Sequence, residues 1–552
     1  MNGLSYSRCS SDGSFDYTTV KDILEKWSTV QPEKEAFVGY DVDGNRTSIT
    51  SRRLYETSVA FSKFVTKSGL TKGKCVVFCT KNSIQMLQAM FGVQIAGGIP
   101  IFTSCSMVDG SDVIDLVVDS NSTLLVIDEA DGLLSSCLYD KIVNSTSGNN
   151  IKQVKNLITI ENSVMKNTSA ETGDTLTIDL ALTLYSGIKL PELFPEDISV
   201  YFNTSGSTGK PKLVGHTHIS WHNSTHTICN LMDVKSRSRY FCDRPFGWSV
   251  GSPRIYLASG ATRVFADTDL FLKGGNTDRL ADIVRRERCS HVYMPGYLVA
   301  DMVARPDLAP NFTTVHSIKC AGERISVRHR ELLGLFCRKL VIWYGSTEVA
   351  GVAAFSSPQP ELYLPGIIGT PLPGFEIKLV DGGGNVIHQG QTGELCVRSV
   401  HRFVEYRCMP EKFSQAVDPA NWCHTGDMCH MNADGNFIME GRKSDVMSIG
   451  TVKVFPYEIE KVFLACTGAA EVAVVPVPDI RLYECACACV IPKQGTNMTV
   501  NDVFEFCDGA WKPDAIMKPR HVILFNQFPN NDSGKTDRKL LAQEARKQLG
   551  LE

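Results

Sequence analysis

The sequence predicts an α/β protein: a large multi-sheet amino-terminal domain that includes a small β-barrel-like unit, followed by a small α+β carboxy-terminal domain. Three features of the 552 residues predict it. Short apolar runs recur with helix-like stretches beside them, the pattern of open sheets under helical covers. Near residue 366 the texture changes to strand candidates separated by glycine-rich turns. Near Gly441 a separate alternation of strands and amphipathic stretches begins, long enough for a small domain of its own.

Each element follows from its own residues. The runs KCVVFC (74–79), STLLVID (122–128), SHVYMP (290–295) and KLVIWYG (339–345) are read as strands, and Asn82 to Gly92 and Thr277 to Glu287 as helices. The most apolar stretch, MLQAMFGVQIAGGIPIF from Met86, holds two glutamines, paired glycines and Pro100. It is too short to span a bilayer and reads as a buried helix running into a strand. PGFEIKLVDGGGNVIHQGQTGE, ending at Glu394, is read as antiparallel β structure. After Gly441 come the strand VKVFP, the amphipathic YEIEKVFLAC, the strands AEVAVVPVP and ACACVIP, a helix around Val500 to Cys507, the strand HVILF and a basic helical tail. The expected domains are 1–440, with 366–440 as the β-rich unit, and 441–552. A chain of this length exceeds what a single core usually supports.

Composition narrows the class. Hydrophobic residues make up 43% and charged residues 21%, as in ordinary globular proteins. With 56 basic and 60 acidic side chains the formal charge is -4, so no whole-molecule field draws the protein to nucleic acid or an anionic membrane. Nineteen cysteines, an odd number spread along the chain, fit a reduced intracellular compartment. Cys485, Cys487 and Cys489 alternate with alanine and are read as buried small hydrophobes on one face of a strand, in preference to a metal site. The first residues lack an apolar leader core and are poor in arginine, which disfavours a mitochondrial presequence without excluding it. The final GLE is not the peroxisomal serine-lysine-leucine address. The expectation is cytoplasmic, with no integral membrane segment and an oligomeric state the sequence does not specify.

The most informative string is YFNTSGSTGKPKLVGHTH, residues 201–218. Thr204, Ser205, Ser207 and Thr208 alternate with Gly206 and Gly209 before Lys210 and Lys212. Glycines let backbone N–H groups approach an anion, hydroxyls add donors and lysine adds charge, which is phosphate-handling chemistry. It is not a Walker A loop: Thr204 stands where glycine is required, and Pro211 follows Lys210 where serine or threonine is needed. A flexible surface turn has a similar composition.

This loop resembles the signature loop of the adenylate-forming superfamily, which includes acyl-CoA synthetases, coumarate-CoA ligases, peptide-synthetase adenylation domains and beetle luciferases. Four further strings match in the family's order: Tyr344-Gly345-Ser346-Thr347-Glu348, Thr425-Gly426-Asp427, GRKSDVMSIGTVKVFPYEIE from Gly441 to Glu460, and NNDSGKTDRKL from Asn530 to Leu540. The resemblance spans nearly the whole chain and is strongest to acyl-CoA synthetases and coumarate-CoA ligases.

It implies ATP as substrate, Mg2+ as cofactor, and a small-molecule carboxylic acid and CoA as reactants. It implies that a mobile loop, Thr204 to Gly209 with Lys210, holds the β and γ phosphates. Glu348 is either a capping or surface carboxylate or, as the resemblance implies, the magnesium-linked glutamate; magnesium favours hard oxygen donors beside phosphates. Thr347 resembles the residue that meets the α-phosphate, Tyr344 the adenine-stacking aromatic beside Gly345, and Gly322-Glu323 the adenine-pocket turn, with Arg324 replacing a frequent proline. Asp427 sits in what could be a plain tight turn; its counterpart binds ribose, and Arg442 resembles the second ribose contact. Lys535 reads as a solvated surface charge by itself, but matches the family's adenylation lysine, delivered by a mobile carboxy-terminal domain. Ser444 matches the hinge, where aspartate or lysine is usual. The glycine expected at 451 stands one position early, at Gly450, which bears on the thiol channel. Phe246 and Trp248 resemble acid-pocket or gate positions, although Trp248 could be core, and Asp243, Arg244 and Pro245 replace the luciferase histidine string, disfavouring light emission.

The implied activity is an AMP-forming acid-thiol ligase. The enzymatic alternative is a stand-alone activator that hands the acyl or aminoacyl group to a carrier protein. The non-enzymatic alternative is an inactive ligand-binding scaffold, which predicts loss of Lys210, Glu348, Asp427 or Lys535; all four are present.

Overall fold

The computed structural model describes residues 3–11, 17–103, 111–128, 156–161, 164–167, 175–177, 185, 187–204, 212–271, 275–322, 327–493, 495–530 and 536–551. Its contacts divide the chain into two compact units. The larger comprises Ser7–Ile377 and Val397–Cys423; the smaller comprises Met1–Tyr6, Lys378–Cys396 and His424–Glu552.

The larger unit contains two extended sheets. In one, the strands run in the order Glu405–Tyr406, Lys212–Thr217, Ile198–Thr204, Ile99–Phe102, Cys75–Cys79, Leu124–Asp128, Asn156–Glu161, Val164–Asn167, Thr175–Thr177. In the other, Ile367–Pro371, Ala350–Phe355, Lys339–Ser346, Ser317–Ala321, His291–Met294, Arg239–Phe241, Thr262–Ala266, Glu35–Tyr40 and Arg46–Thr50 follow one another. Its central strands pair in parallel, from Lys339–Ser346 through to Glu35–Tyr40. Parallel strands are covered on both faces and are therefore nearly all apolar; Cys75–Cys79 and His291–Met294 are buried at every position.

The expected buried helix and following strand are Ile84–Ile95 and Ile99–Phe102. Ser83 caps the helix by accepting from the Met86 amide, which satisfies one of the orphan donors of the first turn. Its two buried glutamines are paired, Gln88 Nε2 to Thr57 Oγ1 at 3.0 Å and Gln94 Nε2 to Ser199 Oγ at 2.9 Å. Gly92 allows the helix Ser51–Lys67 to pack closely, because a methyl there would lie 2.8 Å from the Phe61 side chain. Each valine, leucine or phenylalanine sealed into this core contributes about 1.5–3 kcal/mol relative to exposure.

In the smaller unit, Ala469–Asp479 pairs antiparallel with Tyr483–Pro492, which pairs in parallel with His521–Leu524. Ala469–Asp479 lies at the edge of this sheet, where Pro476 and Pro478 cost no central hydrogen bonds. The alternation at 485–490 is expressed as expected. Cys485, Cys487 and Cys489 pack with Leu541 and Ala545 of the helix Arg538–Leu549, while Ala486, Ala488 and Val490 pack on the opposite face with Val503 and Cys507 of the helix Val500–Ala510. YEIEKVFLAC folds as a short helix, Pro456–Glu460, followed by a 3-10 turn, Val462–Ala465. The strand Cys423–Met431 pairs antiparallel with Phe437–Arg442 in the same unit.

Candidate active site

In the larger unit the strand Lys339–Ser346 reverses into Ala350–Phe355, and the turn carries Thr347 and Glu348. Its tightness explains the glycines. A methyl at Gly345 would come within 1.9 Å of the Ala350 carbonyl oxygen, and one at Gly351 within 1.9 Å of the Trp343 ring. Ala350 has a φ of 56°, a left-handed conformation that non-glycine residues seldom adopt.

Glu348 is held from both sides. Ser346 Oγ donates to Oε2 at 3.1 Å and the Tyr406 hydroxyl donates to Oε1 at 3.0 Å, while the Glu348 carbonyl accepts from the Phe403 amide at 2.7 Å. Burial and the neighbouring Glu348 charge push the Tyr406 phenol upward, keeping it a donor. A carboxylate offers about four lone-pair directions and two are used here. The remaining hard oxygen sites suit a magnesium ion that also takes phosphate oxygens.

The backbone at Thr347 is fixed by His216. The ring is buried and lies 2.7 Å from the Thr347 carbonyl through Nε2, and 3.2 Å from Ser220 Oγ through Nδ1. Burial lowers the His216 pKa to about 4, so the ring is neutral at pH 7. Nε2–H therefore donates to the carbonyl and Nδ1 accepts from the serine.

His216 lies on the Lys212–Thr217 strand, whose pairing with Ile198–Thr204 brings Thr204 opposite Lys212. That pair flanks residues 205–211, and the Lys212 ammonium sits 4.9 Å over the Tyr406 ring. The flanks of the glycine-rich string and the Tyr344–Glu348 turn thus meet through His216 and Tyr406. Ser205, Gly206, Ser207, Thr208, Gly209 and Lys210, together with Glu323 and Lys535, lie outside the described residues.

Tyr344 is buried at the end of its strand, and Gly345 beside it is exposed. Gly322, also exposed, ends the neighbouring strand Ser317–Ala321 with a φ of 93°, which favours glycine. Phe246 is enclosed among Phe37 and Phe265, with ring centroids at 6.3 and 4.9 Å. Trp248 is half-buried and stacks on Arg244 at 6.0 Å; Arg244 is itself paired with Asp243.

The smaller unit assembles a second group. Asp427 is buried and pairs with Arg442, Nε to Oδ1 at 2.8 Å, and the Arg442 fork also donates to the Thr425 carbonyl at 3.3 Å. Gly426 turns the chain at a φ of 72°, and the Thr425 hydroxyl donates to the Leu395 carbonyl at 2.8 Å while accepting from the Asp427 amide at 3.1 Å. Next to Arg442, Lys443 pairs with Glu394 at 2.9 Å. Burial works to raise the Glu394 carboxyl, but Lys443, His424 and the Gly426 amide together outweigh it and the group titrates below its ordinary range. Ser444 Oγ donates to Asp445 Oδ1 at 2.8 Å.

The 531–535 segment is bracketed by an antiparallel bridge from Asn530 to Thr536. Asp537 then caps the Arg538–Leu549 helix. Arg538 grips Glu460 at 2.6 and 3.1 Å, tying this helix start to the end of the GRKSDVMSIGTVKVFPYEIE string.

Sequence reading missed His216 and Tyr406. His216 lies inside the quoted loop string, and its signal was a histidine in an apolar strand that needs an acceptor. Tyr406 carries no local signal, because only folding brings it to Glu348.

Residues 24–407 match the family described as AMP-binding enzyme, and residues 458–535 match the AMP-binding enzyme C-terminal domain. A mitochondrial medium-chain acyl-CoA ligase of Macaca fascicularis is 28% identical over 371 residues, 64% of this chain and 58% of that protein. The chain therefore spans about three-fifths of that relative's length in the match. A long-chain-fatty-acid–CoA ligase of Escherichia coli O157:H7 is 25% identical over 96% of this chain and 95% of its own. Among solved structures, an anthranilate CoA ligase in complex with anthranoyl-AMP superposes with a TM-score of 0.80 at 20% identity, covering 97% of this chain and 98% of that one. An amide bond synthetase from Marinactinospora thermotolerans superposes at 0.78 with 21% identity, covering 95% and 99%. At these identities the structural likeness speaks to the fold.

Proposed function

We infer the function from the premise that this chain belongs to the AMP-binding enzyme family: its adenylate-forming, acid-activating chemistry is that of an ATP-dependent acid-thiol ligase. A carboxylate oxygen attacks the α-phosphorus of ATP, the bond to the β-phosphate breaks and pyrophosphate leaves. The thiol of CoA then attacks the acyl carbonyl of the adenylate and AMP departs.

The observation that carries this reading is the meeting of the glycine-rich string and the Glu348 turn through His216 and Tyr406. It supports the reading because the Glu348 carboxylate and the flanks of that string share one set of contacts, as in-line attack at a polyphosphate needs. Glu348 would hold Mg2+, which neutralises charge on the phosphate oxygens when bound. In this reading Thr347 meets the α-phosphate, and Tyr344 and Gly345 with Gly322 and Glu323 receive adenine. Asp427, oriented by Arg442, takes the ribose hydroxyls. Lys210 and Lys535 bring positive charge to the leaving and attacking oxygens. Rotation of the small domain about Ser444 withdraws Lys535 and admits the thiol. Barrel-like closure of 366–440, the 440/441 boundary and a cytoplasmic site of action belong to the same reading. Among the described residues no helix is long and apolar enough to cross a membrane.

The test is acid-dependent pyrophosphate release over fatty, aromatic and amino acids, with and without CoA. AMP accompanied by acyl-CoA is expected. A second reading is favoured by the likeness to an amide bond synthetase: adenylation followed by transfer to an amine or a carrier protein. Pyrophosphate release without thioester would select it, and no release with any acid would reject both.

A further inference from the structure

Behind the turn lies a buried group of cations for which the proposed chemistry has no use. Lys319 sits on the Ser317–Ala321 strand, in the larger unit, and is 2% exposed. Its ammonium lies 4.0 Å from the Trp343 ring centroid, 5.3 Å from that of Tyr293 and 5.8 Å from that of Tyr240. Two buried guanidinium groups share these rings: Arg254 over Trp343 at 6.0 Å and Arg263 over Tyr240 at 5.4 Å.

The arginines donate to main-chain oxygens, Arg254 to Ser249 at 2.5 Å and Arg263 to Cys242 and Gly251, each at 3.1 Å. Among the described residues no carboxylate pairs with Lys319, Arg254 or Arg263. The groups that act most strongly on Lys319 are Cys242, Arg254, Arg263 and Cys229, and burial pushes the Cys229 thiol up to about 12, so it is not an anion. Two more donors lie in the same place: the Tyr240 hydroxyl and Trp343 Nε1 are buried without a hydrogen-bond partner among the described residues.

Native interiors pair nearly all such groups, and an unpaired buried charge costs several kcal/mol. Aromatic faces offset only part of that. Among the described residues the cluster meets main-chain oxygens through its arginines and no anionic acceptor.

Its position ties it to the site. Ala321 pairs with Trp343 in register and Lys319 with Val341, so Trp343 lies immediately before Tyr344 and Lys319 three residues before Gly322, near the carboxyl ends of parallel strands, where open α/β sheets bind ligands. Ser249 and Gly251, which Arg254 and Arg263 hold, continue the Phe246–Trp248 segment.

Resting on the acid-activating reading above, we propose that the acid activated by this chain carries a second anionic group, a carboxylate at its far end, which seats on Lys319 between Trp343 and Tyr240. The two arginines supply a positive field, and Lys319, Trp343 and Tyr240 supply the hydrogen bonds. Burial, with the Arg254 and Arg263 charges, draws the Lys319 amine down to about 7, and an arriving carboxylate keeps it protonated.

The test uses carbon-matched pairs: butanedioate, hexanedioate and octanedioate against butanoate, hexanoate and octanoate. Pyrophosphate release and thermal protection are measured on the full chain and on Lys319→Met. The wild-type kcat/KM is expected to favour a diacid over its matched monoacid by about tenfold or more, as for a hydrogen bond to a charged group. Lys319→Met should erase or invert that preference while still turning over monoacids. A wild-type preference for monoacids, or an unchanged ratio in Lys319→Met, overturns the proposal. If no acid releases pyrophosphate, the adenylation reading fails separately, and thermal protection still decides. Diacid protection of wild type but not of Lys319→Met supports the anion seat, and equal or absent protection rejects it.

Discussion

The Tyr344–Glu348 turn and the Asp427–Ser444 segment are built from opposite materials. The turn is fixed by part-buried hydrogen bonds that, among the described residues, have no partner cation: two between neutral groups, His216 to the Thr347 carbonyl and Phe403 to the Glu348 carbonyl, and two from the neutral Tyr406 and Ser346 hydroxyls to the carboxylate. The segment is held by ion pairs whose basic partners are largely in water, with Arg442 and Lys443 side chains 51% and 61% exposed. Part-buried contacts of the first kind respond little to salt and permit one geometry, whereas exposed pairs are screened and are worth about 0–1 kcal/mol. One region suits a fixed cradle, the other a segment that re-forms its contacts.

The predictions sharpen that contrast, beginning with the largest effect. Lys535→Ala should lower acyl-adenylate formation by about 10²-fold or more, measured in single turnover, because its charge is needed chiefly in the transition state; unchanged adenylation would remove Lys535 from the mechanism. Tyr406→Phe should lower kcat/KM by about tenfold and raise the magnesium concentration needed for half-maximal rate, since a hydrogen bond to a charged group contributes about 1.5–3 kcal/mol. An unchanged magnesium dependence would show that Tyr406 does not position Glu348.

Acid should weaken the larger unit. His216, His291 and His401 titrate near 4 and His218 near 3 because burial disfavours their charged forms, against about 6.5 when unfolded. Between those values the unfolded chain binds more protons, so stability falls as pH drops from about 6.5 toward 4. Denaturant midpoints should follow that window, and a flat response would place these rings in water. The smallest effect is expected at the exposed pairs: Lys443→Ala should cost no more than about 1 kcal/mol, and the cost should shrink in high salt. A larger, salt-independent loss would erase the distinction between the two regions.

The strands at 75–79, 124–128, 291–294 and 339–346 were legible because continuous apolar runs are what a doubly covered sheet requires. Thr347 and Glu348 were legible as motif residues, and the alternation at 485–490 correctly separated the cysteine face from the alanine face. Tyr406 was not legible. It lies 58 residues from Glu348, and a lone tyrosine carries no period or spacing. Phe246 is fully enclosed, beside Phe37 and Phe265, an arrangement that carries no signal in the local sequence. Lys319 escaped notice for a related reason: its neighbours Arg254, Arg263 and Tyr240 come from other strands and a helix, and only folding reveals that among the described residues no carboxylate joins them.

The central claim is most directly tested by acid-dependent exchange of labelled pyrophosphate into ATP, since exchange requires a reversible acyl-adenylate and no thiol acceptor. Label should enter ATP only when a suitable acid and magnesium are both present, and Lys535→Ala should suppress it. Absence of exchange with every acid offered, or exchange that needs no acid, would contradict the account.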